Sequence, residues 1–163
     1  MSGRRTPGAA ALLMALAVGA AWGQGAGPME HEATGVFEAT VHAEEDAADA
    51  DGVRLGRMRL DKRYSGDLEA VARGRMLTAV SPVDGSSAYT AIERVSGSLD
   101  GRVGSFVLAH FGIMDRGVPG LEARIVPDSG AGGLSGIRGR MEILAGGAGH
   151  RYRLVYSFPD IAD

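Results

Sequence analysis

The sequence predicts an all-β fold, a single eight-stranded antiparallel barrel. Three observations carry this reading. After residue 34 the chain runs in short alternating apolar and polar stretches, with no long amphipathic helix. Those stretches are separated by Gly, Asp, Ser and Pro, and the 26 glycines suit tight turns rather than helices. There are eight such runs in sequence order, enough to close on themselves and leave no open edge.

The expected strands are 35–43, 53–64, 67–80, 88–99, 102–114, 120–127, 136–145 and 150–158. Ser65-Gly66, Asp100-Gly101 and Gly146 to Gly149 supply turn residues that tolerate positive φ. "VPDSGAGGLSGI" (126–137) is a longer glycine-rich connection. With 146–149 as the last loop, Ile143 faces Tyr152, Met141 faces Leu154, Gly139 faces Tyr156 and Ile137 faces Phe158. The opposite face pairs Glu142 with Arg153, so one side is apolar and the other charged. A glycine opposite a tyrosine leaves room for the ring to lie across the backbone.

The same arithmetic applied to "AIERVSGSLDGRVGSFVLAHFG" (91–112) sets Ala91 opposite His110, Glu93 opposite Leu108 and Val95 opposite Phe106. Tyr89, Glu93, Phe106, Leu108 and His110 then share the inner face, because the alternative buries Arg94 unpaired. Two readings of Glu93 and His110 stay open. They hydrogen-bond each other, or Glu93 meets a buried arginine, and fix the register. Or they form the polar end of an apolar cavity, where desolvation raises the Glu93 carboxyl and His110 assists it as acid or base.

The N-terminus reads as a secretory signal. Arg4 and Arg5 precede an apolar run from Ala9 to Trp22, with Ala21 and Gly23 placed for cleavage after Gly23. The run is too short to span a bilayer comfortably and none follows it. The expected organisation is signal peptide 1–23, disordered lead-in 24–34, barrel 35–158 and C-terminal tail 159–163. The expected location is periplasmic or extracellular.

Composition narrows function. A formal net charge of −3 argues against a nucleic-acid partner. There is no cysteine, hence no disulfide and no thiolate chemistry. Neither a G-x-S-x-G elbow, a Walker loop nor H-E-x-x-H is present. "DAADADG" (46–52) echoes a calcium loop but lacks its first and last ligands, and the four histidines lack ligand spacing. No cofactor and no metal are expected. Arg57, Arg59 and Arg63 alternate on one strand and suit a solvated outer face; Met58, Met76 and Met141 read as core fillers.

"RYSGDLEAVARGRMLTA" (63–79), "SSAYTAIERVSGSLDGRVGSFVLAHFGIMDRG" (86–117), "IVPDSGAGGLSGIRGRMEI" (125–143) and "HRYRLVYSF" (150–158) together resemble the bacterial family numbered three-two-two-four among the domains of unknown function. The resemblance implies a barrel of the allene oxide cyclase-like type and no settled activity. Two features depart from it, the export signal and the acidic insert "EEDAADADG" after the first strand.

Three functions follow as expectations. The first is a secreted barrel binding a small apolar or amphipathic molecule, with Tyr89, Glu93, Phe106, Leu108, His110, Tyr152 and Tyr156 as candidate ligand contacts. The second is a solid structural barrel that forms a homo-oligomer through its outer face. The third is a cofactor-free isomerase or cyclase in which Glu93 and His110 move protons.

Overall fold

The structure is a computed structural model that describes residues 28–44, 48–144 and 150–159. It contains ten strands and, among the described residues, no helix: β1 (His31–Ala43), β2 (Ala48–Ala50), β3 (Val53–Gly66), β4 (Leu68–Val80), β5 (Ser87–Leu99), β6 (Arg102–Asp115), β7 (Val118–Ile125), β8 (Ala131–Gly132), β9 (Arg138–Leu144) and β10 (His150–Ser157). Eight of them close an antiparallel barrel in the order β1-β3-β4-β5-β6-β7-β9-β10 and back to β1. The two short strands β2 and β8 pair with β3 and β6 and add to the eight that the sequence predicts.

All eight expected runs form strands, and both derived registers hold. Ala91 pairs with His110 and Glu93 with Leu108; Ile143 pairs with Tyr152 and Gly139 with Tyr156. One boundary is corrected. β1 begins at His31, so residues 31–34 belong to the barrel rather than to a disordered lead-in. They pair with 153–156 of β10 and bury Ala33 completely, a gain the short polar stretch does not advertise. Ile137 and Phe158 lie just outside the last pairing, which ends at Arg138 and Ser157. The expected signal cleavage site, the 146–149 loop and part of the acidic insert lie outside the described residues.

The turns follow from local chemistry. At Asp100-Gly101, φ is 47° and 80°; at Arg116-Gly117 it is 47° and 86°. Both residues of each pair are left-handed, the geometry that matches the twist of a two-residue hairpin.

The barrel has two unlike ends. At one end Leu68, Val95, Leu99, Phe106, Leu108, Leu154 and Tyr156 fill the interior. The 126–137 connection folds beneath them. Leu134 and Ile137 are buried there, and the Ile137 N–H donates to the Leu134 carbonyl at 3.2 Å. At the other end the side chains stop short of filling the space. That end carries the acidic insert: Glu44, just past β1, pairs with Arg75 at 3.1 Å on the outer wall.

Candidate functional site

The unfilled end is a cup of about 280 Å³. Its apolar wall comes from Phe37, Val41, Leu60, Met76, Leu121 and Ile143, one or two from each of five strands. Each stands at an inward position of its strand, which is why alternation along the chain assembles an apolar ring. Tyr89, Ala91 and His150 complete the wall, and Lys62 and His110 supply its polar groups. The His150 ring stacks on Phe37 with centroids 4.9 Å apart and planes 16° apart.

Below the cup lies Glu93, with no solvent exposure at all. Its Oε1 accepts three hydrogen bonds: from the Tyr64 hydroxyl at 2.8 Å, from His110 Nε2 at 3.0 Å and from Lys62 Nζ at 3.1 Å. Lys62 also donates to the Tyr64 hydroxyl at 3.4 Å and stands 4.9 Å above the Phe37 ring. Oε2 of the same carboxylate has no hydrogen-bond partner among the described residues. Three strands deliver this cluster: β3 brings Lys62 and Tyr64, β5 brings Glu93 and β6 brings His110.

Burial alone would push the Glu93 carboxyl up. The His110 hydrogen bond, the Lys62 charge and the Tyr64 hydroxyl together outweigh it and hold the group below its ordinary value. The expected rise from desolvation is therefore overturned, because three donors on one oxygen stabilise the charge. Burial and the adjacent Glu93 charge drive Tyr64 the other way, well above the usual phenol range. The cluster thus holds an ionised carboxylate, a neutral phenol and an ammonium. An ionised carboxylate only accepts, so in this contact His110 Nε2 carries the proton. No other hydrogen bond of the ring occurs among the described residues, which leaves Nδ1 as the nitrogen without a partner in a residue that lines the cup.

The structure divides the seven candidate contacts. Tyr89 and His110 line the cup, and Glu93 lies directly under it. Phe106, Leu108, Tyr152 and Tyr156 do not line it; they are packed into the filled end. Tyr152 meets Tyr64 edge-on at 5.6 Å, and its hydroxyl accepts the Leu68 N–H at 2.9 Å. The Tyr156 hydroxyl donates to Asp100. The tyrosine bonded to Glu93 is Tyr64 rather than Tyr89, and the buried cation is Lys62 rather than an arginine.

Lys62 and Tyr64 escaped sequence reasoning, although a signal was present. Lys62 is the sole lysine among seventeen basic residues. It stands in phase with Leu60 and Tyr64, while Arg57, Arg59 and Arg63 take the outward phase, all exposed. A lysine on the apolar phase of a strand needs a buried anion, and Glu93 is the available one.

One seam borders the cup. β7 and β9 share a single pair, Arg124 opposite Arg140, whereas β3 and β4 pair from Arg54–Val80 to Tyr64–Ala70. A cavity of about 350 Å³ opens along this seam, lined on the inner side by Leu121, Ala123, Met141 and Ile143. Leu121 and Ile143 border both spaces.

Comparison with known proteins agrees with the architecture. A solved structure of a protein of unknown function from the DUF3224 family of Shewanella oneidensis MR-1 is 46% identical. It superposes with a TM-score of 0.76 over 80% of this chain and 98% of its own. No curated protein matches. Residues 33–156 match the family described as protein of unknown function DUF3224, and with three quarters of its length and nearly the whole barrel inside that match, the chain belongs to the DUF3224 family.

Proposed function

We propose that the protein is an exported barrel that binds a small, largely apolar molecule in the cup, head group down. The observation that carries this reading is the contrast between the two ends. One is filled by Leu99, Phe106, Leu134, Ile137 and Tyr156, all buried. The other keeps about 280 Å³ over a buried polar cluster. Ligand cavities run from roughly 300 Å³ upward, so the occupant is small. Lys62 and Glu93 cancel in charge, which favours a neutral head group such as a hydroxyl or carbonyl over an ion. Export is supported by the arginine pair, apolar run and small residues of 1–23.

Native mass spectrometry of the chain purified from its host, followed by denaturing extraction, tests the reading. One equivalent of a small apolar molecule on the folded protein is expected. A clean unliganded mass, together with an Ala91→Phe variant that fills the cup without altering any binding behaviour, would sink it.

A second reading has an observation of its own. Leu55, Leu77, Phe111 and Ile113 are exposed together on the outer wall, flanking an apolar depression of about 340 Å³. This patch supports self-association through the outer face. Sedimentation of the wild type and of Leu77→Glu tests it: an oligomer dissociated by the charge supports the reading, and a wild-type monomer at high concentration excludes it.

A further inference from the structure

We propose that His110 is a general base facing the cup, and that the protein moves a proton on a small apolar carbonyl compound whose oxygen is met by the Lys62 ammonium. This rests on the cup being a binding site. Three features of the geometry support it. Glu93 Oε1 takes the Nε2 proton at 3.0 Å, so it fixes both the ring orientation and the tautomer and leaves Nδ1 to act. This carboxylate–imidazole arrangement orients a base and stabilises the imidazolium that forms on it. Lys62 Nζ lies 3.1 Å from the same oxygen, so one carboxylate oxygen ties the cation and the imidazole together beside the cup. Two of its three donors are engaged by Glu93 and Tyr64, which leaves one. Finally, Glu93 Oε2 has no partner among the described residues, so the carboxylate keeps an unused acceptor beside the ring, and the imidazolium and enolate formed in the step balance each other in charge.

The step balances within the substrate and the protein. The bond from hydrogen to the carbon beside the carbonyl breaks, and the proton passes to His110 Nδ1. The electron pair of that bond forms a carbon–carbon double bond, and the carbonyl π pair moves to oxygen, giving an enolate held by the Lys62 ammonium. Swap of that proton on Nδ1 with solvent, followed by delivery of a solvent proton or deuteron to the original carbon, gives exchange. Delivery of the proton to the far end of a conjugated enolate gives the double-bond isomer. No oxidant, reductant or co-reactant enters. An apolar wall makes the cation–enolate contact stronger than it would be in water. His110 and Lys62 are the catalytic residues; Glu93, whose side-chain hydrogen bonds among the described residues go to His110, Lys62 and Tyr64, is a positioning residue.

The test uses the full chain and cyclohexanone. Binding is read from the Met76 methyl resonance, which lies on the cup wall. Chemistry is read as deuterium incorporation beside the carbonyl in D2O, followed by proton NMR. Incorporation at least tenfold above buffer, lost in His110→Gln with binding retained, is expected. Saturable binding without incorporation overturns the proposal and leaves the binding reading standing. Absence of saturable binding overturns both. Should His110→Gln fail to fold, nitrogen-15 shifts of the wild-type ring decide: protonated Nε2 with bare Nδ1 is required, and the opposite tautomer contradicts the proposal. Glu93→Gln is expected to mix the two tautomers and to lower incorporation while cyclohexanone binding is retained, a split that a merely structural carboxylate would not show.

Discussion

Lys62 and Glu93 form an ion pair almost wholly removed from solvent: Nζ and Oε1 are 3.1 Å apart, and their side chains are 6% and 0% exposed. Each is tolerable in the barrel only because of the other. Glu93→Gln leaves the ammonium buried without its anion, which costs about 3–5 kcal/mol. Lys62→Met in the same background removes the stranded charge, so the double variant is expected to be less destabilised than the sum of the two single ones. Urea denaturation of the four proteins measures the coupling, and simple additivity would show that the pair does not interact energetically.

Stability should fall at both ends of the pH scale, for different residues. Glu93 sits below its ordinary value of 4.5 when folded, so it stabilises the protein above that pH. That contribution is lost as pH falls from there through the lower folded value. Tyr64 sits far above its ordinary value of 10.0 when folded, because burial and Glu93 disfavour the phenolate. Its contribution is complete below that ordinary value and is lost as pH rises past it, where only the unfolded chain ionises. Urea midpoints against pH should show a plateau between these limits. Tyr64→Phe should flatten the alkaline limb and, because its hydroxyl also helps hold Glu93 down, shrink the acid limb without abolishing it.

Tyr152 is held by one bond and one absence. Its hydroxyl accepts the Leu68 N–H at 2.9 Å, and its ring lies over Gly35. Tyr152→Phe leaves that N–H buried and unpaired, a loss of about 1–3 kcal/mol. Gly35→Ala should be worse. A Cβ there would run into the Ser65 carbonyl oxygen and sit 2.7 Å from the tyrosine hydroxyl, and the first of these is backbone that cannot step aside. Thermal melting of both variants checks the ranking; a Gly35→Ala protein as stable as wild type would refute it.

The seam between β7 and β9 should open first. Its single pair sets two arginines opposite each other, while the neighbouring β10–β9 ladder runs unbroken from Arg151–Leu144 to Ser157–Arg138. Amides of 118–123 should exchange with solvent faster than those of 89–97 in β5, which is paired on both sides. Residue-resolved hydrogen exchange reads this directly. Equal protection along both segments would mean that the seam is closed in solution.

How far the sequence carries depends on whether a feature is local. The hairpin at Asp100-Gly101 has its register written in the turn, so Ala91–His110 and every pair beyond it followed by counting. The placement of Tyr89, Glu93 and His110 on the inner face followed from alternation and the cost of burying Arg94 unpaired. The end of the barrel that stays open did not, because it depends on where the 126–137 connection lies. That segment has no periodicity, yet it carries Leu134 and Ile137 into the base and thereby decides that Phe106, Leu108, Tyr152 and Tyr156 are core. Lys62 meets Glu93 across β4, which lies between their two strands, so their contact is a property of the closed barrel rather than of any hairpin. The sidedness of β3 pointed inward for Lys62; only closure supplied the partner.

The most direct test of the two-ended barrel is a methyl and ring NMR titration with cyclohexanone. Met76 and His110 belong to the cup, and Leu99 and Leu134 to the filled end. A barrel open at one end only requires saturable shifts at Met76 and His110 with Leu99 and Leu134 unmoved. Shifts spread evenly over all four residues, or none at Met76 and His110 up to the solubility of the probe, would contradict it.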